Sequence, residues 1–185
     1  MGTLEWMFGR GSSSHRAVAK RAAELGLDPR QLAARAQVDP EHVANALESD
    51  IDLEANLPVG EVKRMLDVLD LDFLRLFKIP CGFCRSDGQR FAALQSLPRN
   101  ELIAKRREEL GLSQEALLAK LGVTNWFQKN SERAWAQNRM RLWQAIEDGP
   151  NSLDDLSLDQ VRLLNQVLMV PVQLLLGVPC ADCGR

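Results

Sequence analysis

The chain has 185 residues, 45% apolar and 26% charged, enough to bury one sizeable core or two small ones. A net charge of −2 excludes a non-specific polyanion coater, which needs an excess of Lys and Arg, but leaves room for a local basic face. No apolar run approaches the ~20 residues needed to cross a bilayer, and the longest, Val167 to Val172, contains Pro171.

Residues 1–13 read as a flexible arm ending in a Gly-Arg-Gly-Ser run, with Leu4, Trp6, Met7 and Phe8 as a patch that docks on its own domain or on a partner. The arm lacks the pattern of a secretory leader, so a cytoplasmic location is expected. His15 to Leu25 places Ala17, Val18, Ala22 and Leu25 at helical spacing, and Gly26 stops that helix. Asp28-Pro29 and Asp39-Pro40 each combine an N-cap with proline at the first helical position, predicting helices from Pro29 and Pro40 around a tight turn at Gln37-Val38. Gly60 to Leu69 is the next helix, followed by a short one. Residues 88–99 form a connector that Phe91, Leu94 and Leu97 tie to the core, so the halves are expected to touch. Glu101 to Leu110 begins a second series, in which Ser113 and Thr124 are N-caps and Leu158 to Leu168 is apolar at helical spacing. No stretch alternates as a strand does. The expected fold class is all-α.

The second series repeats the first. Glu24-Leu25-Gly26-Leu27 recurs as Glu109-Leu110-Gly111-Leu112, 85 residues later, with Leu32 on Leu117, Ala34 on Ala119 and Val38 on Val123. Further on, Val62, Leu69, Leu76, Pro80, Cys81 and Cys84 lie on Val161, Leu168, Leu175, Pro179, Cys180 and Cys183, at an offset of 99. The difference is a 14-residue insertion between Val123 and Val161. A duplication with one localised insertion explains both offsets, giving a first repeat at 14–87 and a second at 100–185.

Leu102 to Val123 carries Arg106 and Arg107 in its first helix, then Gly111-Leu112-Ser113-Gln114-Glu115, Ala119 and a Gly122-Val123 turn. This segment resembles the lambda-repressor-like (Cro/repressor, XRE-type) helix-turn-helix family. Glu147-Asp148-Gly149 resembles the family's acidic-Gly ending, and Leu163 to Gly177 its closing helices, so the likeness covers most of 100–178. It implies a tandem pair of such units, the second reading double-stranded DNA. The first helix of the motif crosses the backbone and the second enters the major groove. Gln114 and Lys120 match positions at which the family touches phosphate or base, and Thr124, Asn125 and Gln128 would open the recognition helix.

The chain departs from that pattern in length, since Gly149 follows Val123 by 26 positions. The extra segment, Asn125 to Arg141, contains Lys129, Arg133, Arg139 and Arg141 against the single acid Glu132, interleaved with Trp126, Phe127 and Trp135. Such a mixture suits phosphate and base contact. Gln114, Lys120, Arg133, Arg139 and Arg141 are assigned to phosphates, and Asn125, Gln128 and Lys129 to bases. The competing reading is an extended helix with its tryptophans on the core and a solvated basic face. From Ala36 to Asn56 the first repeat has six acids and no Lys or Arg, which phosphate would repel. It is left for homodimer or partner contacts, for pairing of the halves, or as a solvated acidic face.

Cys81-Gly82-Phe83-Cys84 and Cys180-Ala181-Asp182-Cys183 each follow an apolar-Pro step. Two-residue spacing lets two thiolates bind one tetrahedral ion, and a structural Zn2+ needs four such ligands. Repeat-equivalent pairs that meet would make one four-cysteine site, within a chain or between chains. A redox pair, which normally opens a helix beside a strand, and unmetallated packed thiols are the alternatives. His15 and His42 read as surface residues, and Glu108-Glu109 and Asp154-Asp155 as helix-end charges. With no phosphate loop or nucleophile elbow, an enzyme is not expected. A DNA-binding transcriptional regulator is the leading reading. The alternative is a protein-interaction module on the same scaffold: an antitoxin, an anti-activator or a factor docking on RNA polymerase, with Trp126, Phe127 and Trp135 as anchors.

Overall fold

The computed structural model describes residues 13–84, 91, 93–121, 149 and 152–184. The described residues are helices and turns, with no strand among them. In the first half these are α1 (Ser14–Glu24), α2 (Pro29–Ala36), α3 (Pro40–Glu48), a π turn (Asp52–Asn56), α4 (Val59–Leu69) and α5 (Phe73–Leu76). The second half has α6 (Arg99–Glu109), α7 (Gln114–Lys120), a 3-10 turn (Ser152–Asp155), α8 (Leu158–Leu168) and α9 (Val172–Leu176).

The caps fall where the side chains allow them. Asp28 accepts from the Gln31 N–H while the Gln31 amide accepts from the Asp28 N–H, closing a capping box ahead of Pro29. Ser113 accepts from the Ala116 N–H at the start of α7. Gly26 and Gly111 both adopt φ +65 just past α1 and α6, a left-handed conformation that a glycine enters without steric cost.

Further features recur in the two halves at the sequence offsets. Arg21 Nε donates to the Leu69 carbonyl at 3.0 Å, and Arg106 Nε to the Leu168 carbonyl at 2.9 Å. Each bond ties the first helix of its half to the carbonyl end of the long helix that precedes the cysteines. Arg106 is buried, and Arg107 donates to the Leu112 carbonyl at 3.0 Å, so both side chains serve the fold rather than an open basic face. Asp70 and Met169, which follow α4 and α8, both adopt positive φ, at 52 and 53°.

One hydrophobic core joins the halves: Leu32, Leu53, Met65 and Leu66 from the first belong to the same buried cluster as Leu102, Leu117, Leu156 and Leu164 from the second. Burying each such side chain is worth about 1.5–3 kcal/mol. Leu94 of the connector is buried in this core, with Phe91 and Leu97 packed against it, as their apolar character predicts.

The halves interlock reciprocally. α4 packs on the 3-10 turn of the second half, and α8 packs on the π turn of the first. Lys63 of α4 reaches across to Asp154 at 2.6 Å and to the Leu176 carbonyl. Its counterpart 99 residues later, Arg162 of α8, reaches back to Glu54 and to the Phe77 carbonyl. Leu176 and Phe77 are themselves 99 residues apart. Asp154 also accepts from Arg99 at 2.8 Å, so it carries a cross-half ion cluster and is not a simple helix-end charge. Burial works against the Asp154 carboxylate, but the Arg99 and Lys63 hydrogen bonds outweigh it and hold its pKa below the usual range. Burial also lowers the Lys63 pKa, an effect its bond to Asp154 opposes.

The acidic stretch of the first half is partly consumed in the same way. Asp39 caps α3, Asp50 accepts from the His15 N–H at 2.8 Å, and Glu54 pairs with Arg162. His15 is half-buried, against the surface position expected of it, whereas His42 is exposed and pairs with Glu61 at 2.9 Å.

Candidate metal centre

Past α5 and α9 the chain turns through Ile79-Pro80 and Val178-Pro179, and each step delivers a cysteine pair to the same place. The closing turns match: the Ile79 N–H donates to the Leu74 carbonyl, and the Val178 N–H to the Gln173 carbonyl. The sulfurs of Cys81, Cys84, Cys180 and Cys183 all lie within 4.8 Å of one another. Cys81 and Cys183 approach to 3.7 Å and Cys84 and Cys180 to 3.8 Å, two contacts that each join one half to the other.

These spacings have a simple reading. Zinc–thiolate bonds of about 2.3 Å in a tetrahedron require sulfur–sulfur edges of about 3.8 Å. A disulfide needs about 2.05 Å, and the four cysteines are free thiols. Cys180 is buried, Cys81 and Cys183 are partly covered by the core, and Cys84 is exposed at the rim. The cluster therefore fits one tetrahedral ion held by two thiolates from each half. With all four positions filled by protein, such an ion would have no open site for catalysis.

The environment already favours thiolate at one position. Burial raises the Cys81 pKa, but donation from the Cys84 N–H, the Gln173 amide and the Phe83 N–H outweighs it and brings the pKa down to about 6. Cys84 is pushed up to about 12, first by its hydrogen bond with Cys81 and then by that with Cys183, because a shared proton is held where the neighbouring sulfurs carry charge. Arg75 and Asp182 form an exposed ion pair across the halves beside the cluster, at 2.6 Å, a contact of small energetic value.

Comparison with known proteins yields no match. No family model, no curated protein and no solved structure aligns with the chain.

The four expected metal ligands are thus brought together. Of the residues expected to face DNA, Gln114 opens α7 half-exposed and Lys120 ends it exposed. Thr124, Asn125, Gln128, Lys129, Arg133, Arg139 and Arg141 lie outside the described residues. Sequence reasoning missed Gln173, Lys63 and Asp154. For Lys63 a signal existed, since it and Arg162 are cations at equivalent positions, 99 residues apart, of two matching amphipathic helices.

Proposed function

We propose that this chain is a double helix-turn-helix protein, derived by duplication, whose halves are clamped by one structural Zn2+ and whose second half binds duplex DNA. The observation that carries the reading is the pair of cross-half sulfur contacts at 3.7 and 3.8 Å, the edge lengths of a tetrathiolate zinc tetrahedron. The reciprocal bonds of Lys63 and Arg162 support the duplication, because two copies related by an approximate two-fold make each contact twice. A tetrahedral set of four thiolates suits zinc or iron, and the closed site that joins two chain segments is the arrangement structural zinc fills. Native mass spectrometry of the freshly purified chain should show one zinc per monomer, lost on acidification. A chain that carries no metal as freshly purified, or zinc found only in dimers, would contradict an intramolecular clamp.

DNA binding rests on the likeness of Leu102 to Val123 to the repressor-type motif and on the basic, amide-rich and aromatic segment from Asn125 to Arg141. The reading makes the protein a cytoplasmic transcriptional regulator without enzymatic activity. Gln114 and Lys120 are assigned to phosphates, as are Arg133, Arg139 and Arg141, with Thr124 opening the recognition helix and Asn125, Gln128 and Lys129 assigned to bases. Gel-shift titrations at two salt concentrations test this. Replacing Arg133, Arg139 and Arg141 by Gln should flatten the dependence of log K on log salt by about 0.9 per lost phosphate contact. An unchanged slope would refute the assignment. Recovery of one stoichiometric protein partner without DNA would decide instead for an interaction module.

A further inference from the structure

The metal centre is not symmetric, and the difference lies in one buried amide. Gln173, in α9 of the second half, is 1% exposed. Its Nε2 donates to Cys81 Sγ at 2.9 Å and its Oε1 accepts from the Gly82 N–H at 2.9 Å, so both ends of the side chain engage the first half's cysteine turn. That turn is pressed against the start of α9: a Cβ on Gly82 would lie 2.4 Å from Pro171 Cγ. Only glycine permits so close an approach.

At the positions 99 residues away the equivalents are absent. Leu74 stands for Gln173, Asp72 for Pro171, and Ala181 for Gly82. A leucine side chain has no N–H to donate to the sulfur of Cys180. The same site in a helix of similar packing thus tolerates an apolar residue, so the amide is not required to fill space. Burying an amide costs free energy unless its hydrogen bonds are made, and here both are made to the cysteine turn.

We propose that Gln173 is a positioning residue of the metal centre, orienting the Cys81 sulfur from the opposite half and stabilising it as a metal-bound thiolate. The inference rests on the reading of the four cysteines as one metal site. A divalent ion with four thiolates carries a net charge of −2, and an N–H directed at one sulfur withdraws part of that charge. Such outer-shell partners typically change metal affinity 10–100-fold when removed. Because the donor belongs to the half that does not supply Cys81, it also makes the first cysteine pair complete only when the halves are docked.

The test uses the full chain with Zn2+ and Co2+, affinity being measured by competition with a chelator and Co2+ thiolate absorption recorded in parallel. Gln173→Leu, which installs the residue found at position 74, should weaken binding about 10–100-fold. Gln173→Glu keeps an acceptor for the Gly82 N–H but places an anion against the sulfur, and should weaken binding at least as much. Both should shift the Co2+ charge-transfer band. The core variant Leu32→Ala, in α2, should lower stability and leave affinity and band unchanged, separating positioning from general destabilisation. Wild-type affinity and spectrum in both Gln173 variants would overturn the proposal while leaving the metal centre standing. A wild-type chain that gives no tetrathiolate Co2+ spectrum would overturn both.

Discussion

Removing the proposed zinc should lower the melting temperature by about 5–10 °C without unfolding the chain at room temperature. A ligand held at a hundredfold above its dissociation constant stabilises the folded state by about 2.7 kcal/mol, and a chain of this size shifts by about 2–4 °C per kcal/mol. The fold should survive because the continuous core, from Leu32 to Leu164, does not depend on the ion. Cys180→Ser, at the buried ligand, should reproduce the effect of a strong chelator and make the protein insensitive to it. Cys84→Ser, at the exposed rim, should cost less, since water can take the vacated position. Differential scanning calorimetry with and without chelator measures all three. Identical transitions for the wild type, the chelated protein and Cys180→Ser would remove the metal from the stability of this fold.

Asp154→Asn should be the most damaging single polar substitution at the junction of the halves, lowering unfolding free energy by about 2 kcal/mol. Removing one partner of a fully buried ion pair costs about 3–5 kcal/mol, and the remaining solvent access here reduces that figure. Lys63 and Arg99 keep 18% and 15% of their side-chain surface exposed and Asp154 keeps 30%. The substitution leaves two cations facing each other across a neutral amide. The sign with pH follows from the depressed pKa of Asp154. Its contribution is present above the unfolded carboxylate value of about 3.9 and is lost as pH falls through the lower folded value. Urea titrations should therefore show a wide gap between wild type and Asp154→Asn at pH 7 that narrows below about pH 4. A gap that stays constant over that range would mean that the carboxylate charge is not what holds the junction.

The reciprocity of the junction gives both results a shared logic. Lys63 and Arg162 bind the opposite half at equivalent carbonyls, Leu176 and Phe77, and those carbonyls lie a few residues before the cysteines. The charged contacts and the thiol cluster thus secure the same two chain segments from different sides. Loosening either should weaken the other.

Much of the local structure was legible in the residues alone. Asp28-Pro29, Asp39-Pro40 and Ser113 announce helix starts because their side chains satisfy N–H groups that the first turn leaves unpaired. Gly26 announces a stop because the left-handed conformation there suits a residue without Cβ, and Gly111, 85 residues on, adopts the same φ. The matching offsets of Cys81-Cys84 and Cys180-Cys183 suggested that the pairs meet, since equivalent ends of two packed copies tend to come together. Each of these signals is local or repeats with a fixed period.

What only the tertiary structure decided is which polar groups turn inward. Arg106 reads in sequence as part of a basic helix, yet it is spent on the Leu168 carbonyl; Asp154 reads as a helix-end acid, yet it holds two cations from separate segments. Gln173 gives no sign in sequence that its amide meets a sulfur 92 residues away. Helical periodicity reports how much apolar surface a segment must bury, a property of neighbouring residues. The partner of a buried charge or amide is set by how distant helices dock, and that is a property of the whole fold.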